Sequence, residues 1–210
     1  MVFEIWVTFL LAICVVSLSP GAGAVAAMST GLNFGFPAAL WTLAGLQCAL
    51  ILQVCLVALG LGIILNTSMI IFEIIKYLGI LYLVFLAAQN WFITPRSLEN
   101  QQQPTQAYNA HKLFIKAMLI NLSNPKAIIF MLAVLPQFIQ LQDPLLTQYL
   151  VMILTMISVD LLVMGAYATF AYRVLNLLKK PSHQTLLNRS FSCMFLLAAS
   201  ALFWFEPSST

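Results

Sequence analysis

Charge is scarce in this chain. Asp, Glu, Lys and Arg make up 7% of 210 residues, and hydrophobic residues 62%, whereas a soluble domain averages roughly 25% charged. Nine basic and six acidic side chains cannot hydrate the surface of a soluble domain this long. The same composition excludes a disordered chain. Histidine is scarcer still. His111 and His183 both sit in polar stretches, which argues against a His-ligated catalytic metal. The four cysteines, Cys14, Cys48, Cys55 and Cys193, lie in apolar runs and form no CxxC. They read as small buried hydrophobes, not as metal ligands, redox groups or a secreted disulfide framework. No HExxH, no Ser/His/Asp arrangement and no phosphate loop is present, so no metal and no cofactor is expected. The class that remains is an integral membrane protein, one domain of several spanning helices.

What is present is long apolar sequence. A hydrocarbon core of ~30 Å needs about 20 residues per helix. Six segments meet or approach that: 3–28, 38–65, 69–92, 114–140, 146–171 and 188–205. Pro37, Asn66-Thr67-Ser68, Asp143-Pro144 and Lys180-Pro181-Ser182 punctuate the gaps. The one long polar stretch runs from Thr94 to Lys112 and contains Gln101-Gln102-Gln103-Pro104. The expectation is an all-α polytopic membrane protein of six transmembrane helices. It forms a single domain, 1–210: a three-helix half, 1–92, a linker, 93–113, and a second half, 114–210. Three is an odd number, so the halves insert with inverted orientation.

Placement of the charges orients the spans. Seven of the nine Lys and Arg fall in or beside 93–116 and 171–190, which reads as loop charge and not as a nucleic-acid patch. The positive-inside rule makes the 93–113 and 171–190 loops cytoplasmic and both termini periplasmic. Trp6 and Trp204 then mark the outer interface, Trp41 and Trp91 the inner one. Ala22-Gly23-Ala24 and Ala24-Val25-Ala26 resemble signal-peptide cleavage sites, but no positive n-region precedes them and the only early charge is Glu4. The first segment therefore reads as a retained span.

Two segments are interrupted. Ser19-Pro20-Gly21 breaks the first and Asn124-Pro125-Lys126 the fourth. Proline lacks an N–H and clashes with the preceding turn, and glycine loosens the helix further. A break inside hydrocarbon is tolerated only where protein or a wet cavity covers it. Asn124 is a good N-cap and Pro125 suits the first helical position; Ser19 and Pro20 offer the same order. Paired broken helices in inverted halves point to a transporter's central site. Their free N–H groups favour an anion such as a carboxylate, and Lys126 adds positive charge. The Gly21 region is no dinucleotide fingerprint, since no acidic residue follows about 20 positions on.

Asp160 lies well inside the fifth span. An unpaired carboxylate there costs ~2.5–3.5 kcal/mol on insertion scales. Asp160 can carry a proton, or pair with Lys126 or a cargo amine. Gln47 holds a comparable place in the second span and can bond cargo without charge, or bond a neighbouring helix. Gln53 reads as a bond between helices. Glu73 and Lys76 read as a local pair, and Tyr167 and Tyr172 as weaker candidates for lining a path.

At these residues the chain resembles the LysE/RhtB family of bacterial amino-acid exporters. Leu18-Ser19-Pro20-Gly21-Ala22-Gly23-Ala24 is similar to the family's first-helix signature, usually written SPGP, with Ala22 at the second proline. Asn121-Leu122-Ser123-Asn124-Pro125-Lys126-Ala127 matches its fourth-helix NPK signature. Asp160 falls where the family carries a fifth-helix acid. Gly45-Leu46-Gln47, Glu73, Lys76 and Pro136-Gln137-Phe138 look most like the homoserine/threonine branch. Many members carry a second-helix acid where this chain has Gln47. The resemblance implies proton-coupled efflux of small neutral amino acids, such as homoserine, threonine or homoserine lactone, across the bacterial inner membrane. The expected partners are cargo, protons and lipid; a homodimer is one assembly an apolar exterior allows. The expected binding residues are Ser19, Pro20, Gly21, Gln47, Asn124, Pro125, Lys126 and Asp160, with Asp160 also carrying the proton. Two other classes compete: a membrane electron carrier or enzyme of similar size, and a passive channel subunit.

Overall fold

The computed structural model describes residues 1–65, 69–92, 108–140, 142–171, 173–174 and 181–204. The side chains of 61–65, 69–72, 75–76, 133, 201–202 and 204 are outside that description. Every element among the described residues is helical. In order they are α1 (Phe3–Leu18), α2 (Ala22–Phe34), α3 (Phe36–Leu65), α4 (Met69–Phe92), α5 (Ala110–Leu122), α6 (Pro125–Ala133), a 3-10 turn (Leu135–Phe138), α7 (Leu145–Thr169) and α8 (Pro181–Trp204).

Both expected interruptions are sharp breaks. α1 meets α2 at 56°, and α5 meets the segment Pro125–Phe138 at 54°. The first gap is shorter than expected. Gly35, at φ 80°, ends α2 in the left-handed region that favours glycine. α3 begins one residue later, so Pro37 lies in its first turn and not in a loop. α8 likewise begins at Pro181, earlier than the apolar run at 188 suggests.

Phe36–Gly60 and Leu145–Thr169 are long and apolar enough to cross a membrane alone, and there are four such segments if each bent pair is one span. The six expected spans are therefore not all recovered by length and hydropathy. α4 offers the shorter apolar stretch Tyr77–Phe92, and α8 opens on the polar run Pro181-Ser182-His183-Gln184. The exterior is nonetheless apolar: Leu146 is 73% exposed, Leu162 75% and Leu197 70%. Such side chains, found on every α-helix among the described residues, suit lipid, not water.

α3 lies along α5 and α4 along α8, while α2 is held between α3 and α7. Two apolar cores result. One gathers Phe9, Val54, Leu135, Met152 and Phe195. The other gathers Ala24, Ala27, Leu46, Ala117 and Met164. Of the cysteines, Cys14 and Cys48 are half-buried, but Cys55 and Cys193 are exposed, because their helix faces turn outward. The reading of all four as buried is corrected to that extent.

The ends of the bundle are also sorted. At one end the Val2 N–H donates to Gln140 Oε1 at 3.4 Å, and Gln148 Nε2 donates to the Gln140 and Asp143 carbonyls at 2.7 and 3.2 Å. At the other, the Phe34 and Tyr108 rings lie 6.0 Å apart, and the Arg189 guanidinium lies 5.1 Å from the Trp91 ring centroid.

Candidate functional site

Each proline removes one helical donor, and helix arithmetic names the carbonyl that loses it. A helical C=O accepts from the N–H four residues on, and proline has none. Pro20 therefore deprives Val16, and Pro125 deprives Asn121. The Asn124 N–H turns back to the Asn121 carbonyl at 3.1 Å, and other helices supply further donors. Lys126 Nζ donates to the Val16 carbonyl at 2.9 Å and to the Ser19 carbonyl at 2.8 Å. Gln53 Nε2 donates to the Asn121 carbonyl at 3.0 Å. The Tyr167 hydroxyl donates to the Leu18 carbonyl at 2.6 Å. A buried polar group left unpaired costs about 1–3 kcal/mol, so these contacts make the broken geometry tenable.

Lys126 crosses the break with its stem beside Gly21, where an added Cβ would lie 3.8 Å from Lys126 Cδ. Its ammonium sits 5.6 Å from the Phe195 ring centroid and at the negative end of the α1 dipole. A lysine has three donors; two are engaged here, and one remains.

The two half-helix starts differ. Asn124 caps α6, its side chain accepting from the Lys126 N–H at 3.1 Å, with Pro125 in the first turn. Ser19 does not cap α2. It is the C-cap of α1, and the N-cap of α2 is Gly21, which has no side chain to offer. The cap-then-proline order expected at Ser19-Pro20 is thus corrected: Gly21, in extended conformation, adds a residue and puts Pro20 ahead of the helix. The first N–H groups of α2 carry no side-chain cap as a result.

Asp160 joins three helices. Its Oδ1 accepts from Ser17 Oγ of α1 at 2.8 Å, and its Oδ2 from Gln47 Nε2 of α3 at 2.7 Å. Hydrogen bonds to a charged acceptor contribute about 1.5–3 kcal/mol each, enough together to offset the insertion cost of the carboxylate. Among the described residues, no hydrogen bond or ion contact links Asp160 to Lys126 directly.

Between the two apolar cores lies a cavity of about 90 Å³. Ser17, Ser19, Gly21, Gln53, Asn124, Lys126 and Asp160 line it, with Leu50, Phe130, Met131 and Met156 as apolar wall. Five of the eight expected site residues therefore meet there: Ser19, Gly21, Asn124, Lys126 and Asp160. Gln47 stands one hydrogen bond behind Asp160 and is 7% exposed. Pro20 and Pro125 shape the breaks without lining the cavity. Ser17, Gln53 and Asn121 complete the site, and sequence reading did not assign them to it. For Gln53 a signal existed, since Pro125 removes the helical donor of the Asn121 carbonyl. Tyr172 and the Lys76 side chain, and with it the Glu73–Lys76 pair, lie outside the described residues. Among those residues, no three His, Cys, Asp or Glu gather as a metal site.

The family model described as LysE type translocator matches residues 14–204. The chain belongs to the LysE type translocator family. It is similar over nearly its full length to two proteins named homoserine/homoserine lactone efflux protein, from Salmonella typhi and Salmonella typhimurium. Each is 40% identical over 202 residues, covering 96% of this chain and 97% of the relative. An uncharacterized membrane protein of Vibrio cholerae is 35% identical over 193 residues, 92% of this chain and 93% of the relative. No solved structure matches this translocator. The family match spans both breaks, so Ser19-Pro20-Gly21 and Asn124-Pro125-Lys126 lie within the translocator domain.

Proposed function

We propose that this translocator exports small neutral amino acids, homoserine, threonine or homoserine lactone, across the bacterial inner membrane in exchange for protons. The observation that carries the reading is the Asp160 carboxylate on a cavity bounded by both helix breaks. In the ionised state both oxygens accept hydrogen bonds. The Gln47 amide N–H can only donate, so it holds Oδ2 in either state. The Ser17 hydroxyl can donate or accept. A proton therefore sits on Oδ1, with the hydroxyl turned to receive it. A cargo ammonium contends with that proton for one carboxylate, and exclusive occupancy of that kind couples the two fluxes. The uncapped start of α2 and the remaining Lys126 N–H suit the cargo carboxylate.

Alternating access follows from rocking the inverted half 1–92 against 114–210. Parity supports six spans. Phe34 and Tyr108 share one end of the bundle, and α3 and α4 lie between them. If α3 crosses, α4 crosses back. α8 lies along α4, with Ser192 Oγ donating to the Ala87 carbonyl at 2.6 Å and Arg189 near Trp91, so it runs antiparallel to α4 across the same depth. Lys and Arg placement puts 93–113 and 171–190 in the cytoplasm and the termini in the periplasm, and the apolar exterior leaves room for a homodimer.

The test is Asp160→Asn in inside-out vesicles given a pH gradient and labelled homoserine. The variant keeps a side chain that accepts from Ser17, and its accumulation of cargo should fall to that of vesicles lacking the protein. Uphill transport at the wild-type rate would refute the proton role. Flux that never runs uphill, even in the wild type, would favour a passive channel. Replacing all four cysteines should leave export intact, an outcome an electron carrier would not share.

A further inference from the structure

Gln53 has one end committed and one end spare. Its Nε2 donates to the Asn121 carbonyl at 3.0 Å, which fixes the amide, because the reversed amide would set two carbonyl oxygens against each other. Oε1 is the atom left over. It has no hydrogen-bond partner among the described residues, and neither has Gln47 Oε1 behind Asp160, but of the two only Gln53, 5% exposed, lines the cavity. Buried side-chain oxygens are paired in the large majority of cases. An orphan acceptor on a cavity wall marks where a ligand's donor belongs.

Position decides which donor. Gln53 stands six residues beyond Gln47 on α3, about 9 Å along the axis at 1.5 Å per residue, and Gln47 is the residue bonded to Asp160. The cavity thus has a carboxylate pole and, set apart along α3, a neutral acceptor pole. An ammonium is better placed on the carboxylate, where its hydrogen bond is charge-assisted. The neutral acceptor is left for a neutral donor. We infer that Gln53 Oε1 accepts a hydrogen bond from the side-chain hydroxyl of the cargo, which makes Gln53 a specificity-determining residue. The inference rests on the export reading and narrows its cargo to hydroxyl amino acids.

The test compares homoserine with 2-aminobutyrate, which has the same skeleton without the hydroxyl. Inside-out vesicles carrying the wild type are given labelled homoserine and increasing unlabelled competitor. Homoserine should compete at least roughly tenfold better than 2-aminobutyrate, since a site built to bond a hydroxyl rejects the analogue lacking it. Gln53→Met removes the acceptor and should bring the two competitors within about twofold of each other. Loss of the Asn121 bond alone would weaken both cargoes together and leave their ratio unchanged. Equal competition in the wild type overturns the inference whether or not the variant folds, and so does a Met variant that transports and keeps the preference. A wild type that moves neither compound removes the export reading, and this inference with it. A wild type that moves both without discrimination removes the inference alone.

Discussion

A lysine beside the start of a half-helix invites the reading that it faces an anion. Lys126 follows Pro125 in sequence, yet its ammonium serves the other break, where Pro20 has removed the donor for Val16. Charge here stabilises backbone first, and one N–H remains for cargo. Lys126→Met should therefore lower stability by about 2–4 kcal/mol, two carbonyls losing charge-assisted bonds. Tyr167→Phe, which strips one neutral bond from the Leu18 carbonyl, should cost about 0.5–1.5 kcal/mol. Thermal unfolding in detergent would rank them. A Met variant that melts with the wild type, or below which the Phe variant falls, would show that Lys126 does not hold the break. Lys126→Arg should not rescue it, because the stem passes beside Gly21 and a planar guanidinium needs more room than an ammonium.

At the scale of elements, two glycines set the distances on which the site depends. A Cβ on Gly45 would be driven into the Phe114 carbonyl, and one on Gly31 into the Ala168 carbonyl. α3 thus approaches α5, and α2 approaches α7, at backbone contact, as small residues allow in membranes. Gly45→Ala should destabilise by about 1–3 kcal/mol, since backbone must move. Gly165→Ala meets nothing within 4 Å and should be neutral or stabilising by up to ~1 kcal/mol through helix propensity. Equal melting temperatures for the two variants would mean the α3–α5 contact is looser than described. This contrast also marks where sequence reading stops. Prolines announce breaks through local covalent chemistry, so Pro20 and Pro125 were legible, and Asn124 was legible as a cap. Gly45 and Gly165 look alike in sequence because the carbonyl that separates them belongs to another helix. Ser19 was misassigned for a related reason: Gly21 could take the capping position with no side-chain signature. Ser17 escaped notice because its partner, Asp160, is 143 residues away.

At the scale of the molecule, the apolar class and all-helical fold were legible because composition alone leaves a chain this poor in charge no aqueous solution. The family's two signatures were legible as well. The number of crossings was less so, since the polar opening of α8 and the interrupted spans blur hydropathy and leave parity and charge to fix the count. The N-terminal residues meet Gln140 at one end of the bundle, with α1/α2, α3, α4 and α5/α6 in between, an even count if each bent pair is one span. The opposite end holds Tyr108, Arg189 and Trp91, and most of the Lys and Arg lie in the sequence windows 93–116 and 171–190 that adjoin these residues. Basic residues resist export, so that end should stay in the cytoplasm. A phosphatase reporter, active only in the periplasm, should therefore be silent when fused after Asn100 and active when fused after Thr210. The decisive arm is the pair. Activity at both points would mean an even number of crossings in the second half, so that its bent pair enters and leaves on the same side. Silence at both would likewise mean an even number, with α8 lying on the membrane instead of crossing it. The first result would place the two breaks at different depths and leave Asp160 without the shared chamber on which exchange depends.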